Sequence, residues 1–264
     1  MRNYTFHKKT RKFRYYCYQV AHEKWVPSFL KRRYKKQCYA LLKNSEVCQR
    51  VFQRVNYLNR INTAFKLATR PVIQQEIGAA HRIDLSNLLT IDSPSTYRYD
   101  TAFYLSHFPK GMTAYLLPGD IINVPSIHAL LKSRPIVADK DPQHAAIMKL
   151  DAVRHFQFFQ DKQPFSSKKP CVVWRGAAPE YQPHRRQFLK QYFQHPLIDC
   201  AQVNHPNDDF HGNYLSIPEQ LNYRYVLSIE GNDVATNLKW IMHSNSLCFM
   251  VKPKYETWFM EGQL

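Results

Sequence analysis

Polar chemistry gathers at one point near the end of this chain. Glu230-Gly231-Asn232-Asp233 interrupts an apolar stretch, following Val226, Leu227 and Ile229 and preceding Val234, Leu238, Ile241 and Met242 at helical spacing. The pattern predicts a strand, a glycine turn and a helix over 233–244. Asp233 or Asn232 is a natural N-cap, and Gly231 gives the backbone freedom for a tight turn. A helix start above a strand end aims unpaired N–H groups outward, which favours a phosphate. Asn237 and Lys239, one turn in, would add donors. These residue types outline a nucleotide site. A different chemistry is suggested by Asp139-Lys140-Asp141, which has the D-x-D spacing of a divalent-cation site, and by Asn207-Asp208-Asp209. Both matches are short, and Pro142 beside the first makes it read as a polar turn.

The elements that must hold these groups follow from periodicity. From Cys171 onward, strands at 171–174, 197–203, 224–229 and 246–251 alternate with helices at 183–194, 217–222 and 233–244. That alternation predicts an α/β fold in which a parallel sheet is covered by helices and ligands lie beyond the strand C-termini. Earlier in the chain, a helix is expected over 151–165, and prolines punctuate short strands such as Thr113–Leu117. Residues 1–70 read as mainly helical, with Val47, Val51, Val55 and Leu58 at helical spacing and a break at Arg70-Pro71.

Charge is unevenly spread. Residues 1–70 carry 18 Lys/Arg against Glu23 and Glu46, a balance of +16, whereas the other 194 residues carry 19 against 18. So cationic a segment expects an anionic partner: nucleic acid, acidic lipid or a phosphorylated glycan. Aromatics are interleaved with the cations, among them Tyr15, Tyr16, Tyr18 and Tyr34. That mixture suits a membrane interface, and it also suits single-stranded nucleic acid. The plainer alternative is a solvated helical face whose rings pack on the domain. The six cysteines form no C-x-x-C pair, which points to a reducing compartment. No apolar run approaches the roughly 18 residues that a membrane-spanning helix needs, and no apolar core follows the basic N-terminus as in a secretory signal. The expected location is cytoplasmic, peripheral to a membrane.

Four ordered segments resemble glycosyltransferase family 90, and the bacterial lipopolysaccharide-core branch fits best. They are FPKGMTAYLLPGDIINVP at 108–125, KSRPI with KLDAVRHFQFFQDKQPF at 132–165, CVVWRGAAPEYQPHRRQFL at 171–189, and the stretch from Tyr223 to Leu264. The resemblance implies a GT-B architecture of two Rossmann-like domains facing a cleft. Here that means a basic helical segment at 1–70 on the acceptor side, an acceptor domain at 71–165 and a nucleotide-sugar domain at 166–264. Relatives continue past the position of Leu264, so the second domain is expected to be incomplete.

The same resemblance assigns roles residue by residue. Asp120 in GDIINVP matches the family's base for the acceptor hydroxyl; without the family it reads as a turn aspartate beside a glycine. Arg185, beside Arg186, matches an arginine on the donor diphosphate, where a guanidinium fork can hold two phosphate oxygens. Which of the two arginines serves stays open, as does a solvent-facing role for both. Gly176 and Ala177 resemble the turn that admits the donor, Gly231, Asn237 and Lys239 form its second half, and Glu256 matches an acid near the ribose or sugar. Lys239 reads equally as a surface lysine, and Glu256 as a helix-start acid. Lys132, Arg134, Arg154 and His155 fall in segments that mark the lipopolysaccharide branch, binding phosphate on the acceptor core or on the donor. His155 is also a candidate core histidine.

The implied activity is inverting transfer of a hexose, glucose or galactose, from a UDP-sugar to the inner core of lipopolysaccharide or lipooligosaccharide. It needs no cofactor and no metal, and it works at the inner face of the inner membrane with residues 1–70 on anionic lipid. Two alternatives remain at this point: an inactive remnant of such an enzyme, and a basic nucleic-acid-binding protein.

Overall fold

Consecutive side chains on a strand point to opposite faces of its sheet. Val173 and Trp174 are neighbours and both buried, so the strand that carries them is covered on both sides. The computed structural model places them in β6 (Lys169–Gly176) and describes residues 10–19, 28–61, 81–85, 95–123, 125, 127–136 and 144–264. Contacts divide the chain into two units, one formed by Arg154–Pro253 and the other by Lys8–Val153 with Lys254–Leu264.

In the first unit, β6, β7 (Ile198–Gln202), β8 (Tyr223–Ser228) and β9 (Leu247–Met250) form a wholly parallel sheet in the order β7-β6-β8-β9. Val173 packs with Leu221, Tyr223, Val226, Trp240 and Ile241 on one face. On the other, Trp174 packs with Ala178, Leu189 and Cys200. Crossovers run through α5 (Pro183–Tyr192), the single turn α6 (Ile217–Gln220) and α7 (Leu238–Met242). Pro183 opens α5, where its missing N–H costs nothing. Ser216 and Glu219 close a capping box on α6. The sequence pattern located these elements well, and the α/β fold with a parallel sheet is present.

Two helices fall short of expectation. The segment expected as a helix over 151–165 is helical only at α4 (Ala152–His155) and later forms a 3-10 turn at Phe165–Ser167. The intervening loop is held by Asp161 instead. Its carboxylate takes the buried Lys168 ammonium at 2.7 Å and the Asn245 and Gln163 N–H groups. Burial alone would raise the Asp161 pKa, but these donors carry it below the usual carboxylate range. The helix expected at 233–244 shrinks to the five residues of α7, whose Leu238, Lys239, Trp240 and Ile241 are all buried. Met242 at its end is exposed, so the one-sided stripe that the sequence suggested is not its buried face.

In the second unit, β1 (His81–Asp84) pairs antiparallel with β2 (Thr113–Leu117), and β2, β3 (Ala129–Leu131) and β5 (Ala145–Ile147) continue in parallel. Tyr115 and Leu116 on β2 feed two separate clusters, so this sheet is also covered on both faces. A two-stranded ribbon joins β4 (Ser133–Pro135) to β10 (Tyr255–Thr257). Helices of this unit include a segment within 10–19 and α1 (Ser28–Leu41), α2 (Ser45–Leu58) and α3 (Ser95–Leu105). The Val47–Val51–Val55–Leu58 stripe is not a core face. Only Leu58 is buried, while Val51 and Val55 are exposed.

Candidate nucleotide-binding crevice

The order β7-β6-β8-β9 contains a reversal: the chain leaves β6 toward β7, then crosses back past β6 to build β8 and β9. In open parallel sheets, ligands bind beyond the strand C-termini at such a reversal. Here it falls between the ends of β6 and β8, at Gly176-Ala177 and Ile229-Glu230-Gly231.

Arg185, on the first turn of α5, fills that point. Its Nη1 donates to the Ala177 carbonyl at 2.9 Å, its Nη2 to Ile229 at 2.7 Å and its Nε to Glu230 at 2.8 Å. The guanidinium thus ties the two strand ends together through neutral carbonyls. No carboxylate pairs with it among the described residues. Burial lowers its pKa to about 10, the mark of a cation removed from water without a countercharge. Such an arrangement is costly unless an anion completes it.

Both glycines serve close approach rather than unusual backbone. A Cβ on Gly231 would sit 3.3 Å from Arg185 Nη2, and one on Gly176 would sit 2.7 Å from the Trp174 indole. The helix start contributes less than the sequence suggested. Asn237, not Asp233 or Asn232, precedes α7, and its carboxamide faces the strand: Nδ2 donates to Leu227 O at 3.0 Å and Oδ1 accepts from Ser228 Oγ at 3.1 Å. Lys239 is buried rather than on the surface. Gln182 was not foreseen, yet its Nε2 donates to Asn232 Oδ1 at 2.8 Å and steadies the turn from below.

The adjacent Arg186 turns the other way. It pairs with Asp208 at 2.7 Å and donates to Ala178 O at 3.1 Å, on the wall of an open cleft of about 520 Å³ formed with Pro179, Glu180, His205, Pro206 and Asn207. Asp208 is thereby neutralised by an arginine, and no group of three or more His, Cys, Asp or Glu fit for a metal occurs among the described residues. The D-x-D at 139–141 lies outside the described residues.

The other candidates lie in two places. Arg154 is exposed and His155 buried, on the single turn α4. In the second unit, Asp120 follows Gly119, whose φ of +96° is open to glycine with little strain. Its Oδ1 meets the Nζ of Lys132 at 2.8 Å, and Lys132 is buried while Asp120 is 42% exposed. Arg134 and Glu256 are paired with each other across the β4–β10 ribbon. Arg134 Nε donates to Glu256 Oε1 at 2.8 Å, its Nη groups donate to Tyr57 O and Leu58 O, and the Tyr57 hydroxyl donates to Glu256 Oε2. Arg134 and Glu256 stand 122 residues apart, so no sequence spacing announces the pair.

Comparison with known proteins bears on what this crevice serves. Residues 149–263 match the family described as Glycosyl transferase family 90. A curated relative, the O-glucosyltransferase LpsA of Dichelobacter nodosus, is 49% identical over 173 residues, covering 65% of this chain and 53% of the relative. The chain therefore spans about half the length of the curated relative it matches. The similarity to glycosyl transferase family 90 is thus carried by residues 149–263.

Proposed function

We propose that this chain is a glycosyltransferase that moves a hexose from UDP to a sugar of the lipopolysaccharide core. The observation that carries this reading is Arg185: a half-buried cation at the strand reversal that meets carbonyls and no acid, close against Gly231, where a Cβ would crowd its guanidinium. A nucleoside diphosphate supplies the missing negative charge. The relative's name favours glucose over galactose, and the lipopolysaccharide acceptor rests on the same relative.

In this reading the two units are the Rossmann-like domains of a GT-B enzyme. Asp120 removes the proton from the acceptor hydroxyl, and that oxygen attacks the anomeric carbon from the face opposite the diphosphate. The bond to the β-phosphate oxygen breaks, UDP departs with the electron pair, and the anomeric configuration inverts. Arg185 stabilises the charge growing on the leaving group, an effect concentrated in the transition state. Lys132, ion-paired to Asp120, orients the base rather than binding acceptor phosphate. Gly176, Ala177 and Gly231 line the donor's approach. Arg134 and Glu256 act structurally, and turnover needs no added metal.

Asp120→Asn tests the chemical step. With core oligosaccharide as acceptor and products read by mass, transfer should fall by roughly 10²-fold or more while UDP affinity stays within about twofold. Unchanged turnover in this variant removes Asp120 from the mechanism.

A further inference from the structure

The consecutive helices α1 and α2 have open surface of a particular kind. Residues 28–58 carry Lys31, Arg32, Arg33, Lys35, Lys36, Lys43 and Arg50, besides Arg54, which turns onto Trp258, against a single acid, Glu46. α1 has no acidic residue in its first turn, and none of residues 32–41 is buried. Glu46 reaches only Arg50, at 3.9 Å between highly exposed side chains, so the positive field is scarcely offset. Among these cations stand large apolar groups open to solvent: Tyr39, Leu41 at 61% exposure, Val51, Phe52 at 60% and Val55. Val51 and Val55 follow one another at i, i+4, with Phe52 alongside, which makes a stripe rather than scattered singles.

Charge decides between occupants. A second copy of this chain would set one cationic helical segment against another, and like charges disfavour that contact. An anionic occupant matches. Between the two anionic macromolecules, the aliphatic side chains choose: Leu41, Val51 and Val55 gain nothing on a phosphate backbone, which uses cations and aromatic stacking. At a lipid surface the same side chains enter the acyl boundary while Lys and Arg reach the headgroup phosphates. We infer that helices α1 and α2 dock this protein on an anionic lipid surface, with Val51, Phe52 and Val55 inserted and the α1 cations at the phosphates.

The surface shares no residue with the crevice around Arg185, and its test uses neither donor nor acceptor. The full chain is sedimented with phosphatidylcholine vesicles, with the same vesicles containing phosphatidylglycerol, and with single-stranded DNA, over a salt series. Binding should be at least tenfold tighter to the phosphatidylglycerol vesicles than to either other partner, and should weaken as salt rises. Replacing Lys35 and Lys36 by Ser should cost roughly fivefold per cation. Phe52→Ser with Val55→Ser should cost about tenfold or more with an unchanged melting temperature, because both side chains are already in water. Equal binding to neutral vesicles, tighter binding to DNA, or vesicle binding unchanged in the Phe52/Val55 variant overturns the inference.

Discussion

Two arginines in this protein, Arg134 buried and Arg185 half-buried, are treated in opposite ways. Arg134, 1% exposed, meets a carboxylate, two carbonyls and, through Glu256, a tyrosine hydroxyl. Arg185 meets three carbonyls and no acid, and its pKa falls to about 10. The first charge is complete within the fold and ties β4, β10 and the end of α2 into one piece. The second is incomplete and stands where a parallel sheet reverses. A countercharge inside the protein marks Arg134 as structural; the lack of one at Arg185 is what the proposed diphosphate site rests on.

That contrast can be broken first at Arg134. Arg134→Met leaves the Glu256 carboxylate buried with only Tyr57 beside it, and the expected loss is about 3–5 kcal/mol, a fall in melting temperature on the order of 10 °C. Thermal unfolding measures it directly, and a change below about 1 kcal/mol would mean the clamp is not structural.

A smaller effect sharpens the comparison from the acidic side. Asp100 is buried, takes the Ala152 N–H at 2.8 Å and the Tyr15 hydroxyl, and burial pushes its pKa from 3.8 up to about 6. A carboxyl whose folded pKa is raised binds its proton more tightly in the native state. Its contribution is therefore fully present below about pH 4 and lost as pH rises through about 6. Asp100→Asn should flatten that part of the stability profile in denaturant titrations at pH 4 and pH 7, with an effect on the order of 1 kcal/mol. A slope that persists in the variant assigns it elsewhere.

How much of this was legible beforehand depends on distance along the chain. Parallel strands covered by helices read as apolar runs, so β6 and β8 could be located from Val172–Trp174 and Tyr225–Leu227, and edge strand β9 from Leu247–Met250 although Leu247 and Phe249 are exposed. Helix α7 was overextended because Val234 continues its periodicity, although Asn237 is pinned to Leu227 O and the chain turns helical only at Leu238. The Val51–Val55 stripe has the spacing of a core face, and nothing in the spacing says that no element covers it. The crevice was half legible. Gly176, Gly231 and the Arg185-Arg186 pair stood out by type, but choosing between the arginines required knowing that one faces β8 and the other Asp208. Arg134 and Glu256 could each be noticed alone; their pairing depends on chain path, and so did their roles.

The most direct test is calorimetric titration of UDP into the wild-type chain, Arg185→Met and Arg186→Met at one pH and ionic strength. Removing a charge-assisted phosphate contact at Arg185 should weaken UDP binding by roughly 10- to 10²-fold, while Arg186→Met stays within about threefold. Arg185→Met should also melt no lower than wild type by more than a few degrees, since no buried acid is left behind. Equal UDP affinity in the wild type and Arg185→Met, or a larger loss in Arg186→Met, would contradict the assignment of the crevice as the diphosphate site.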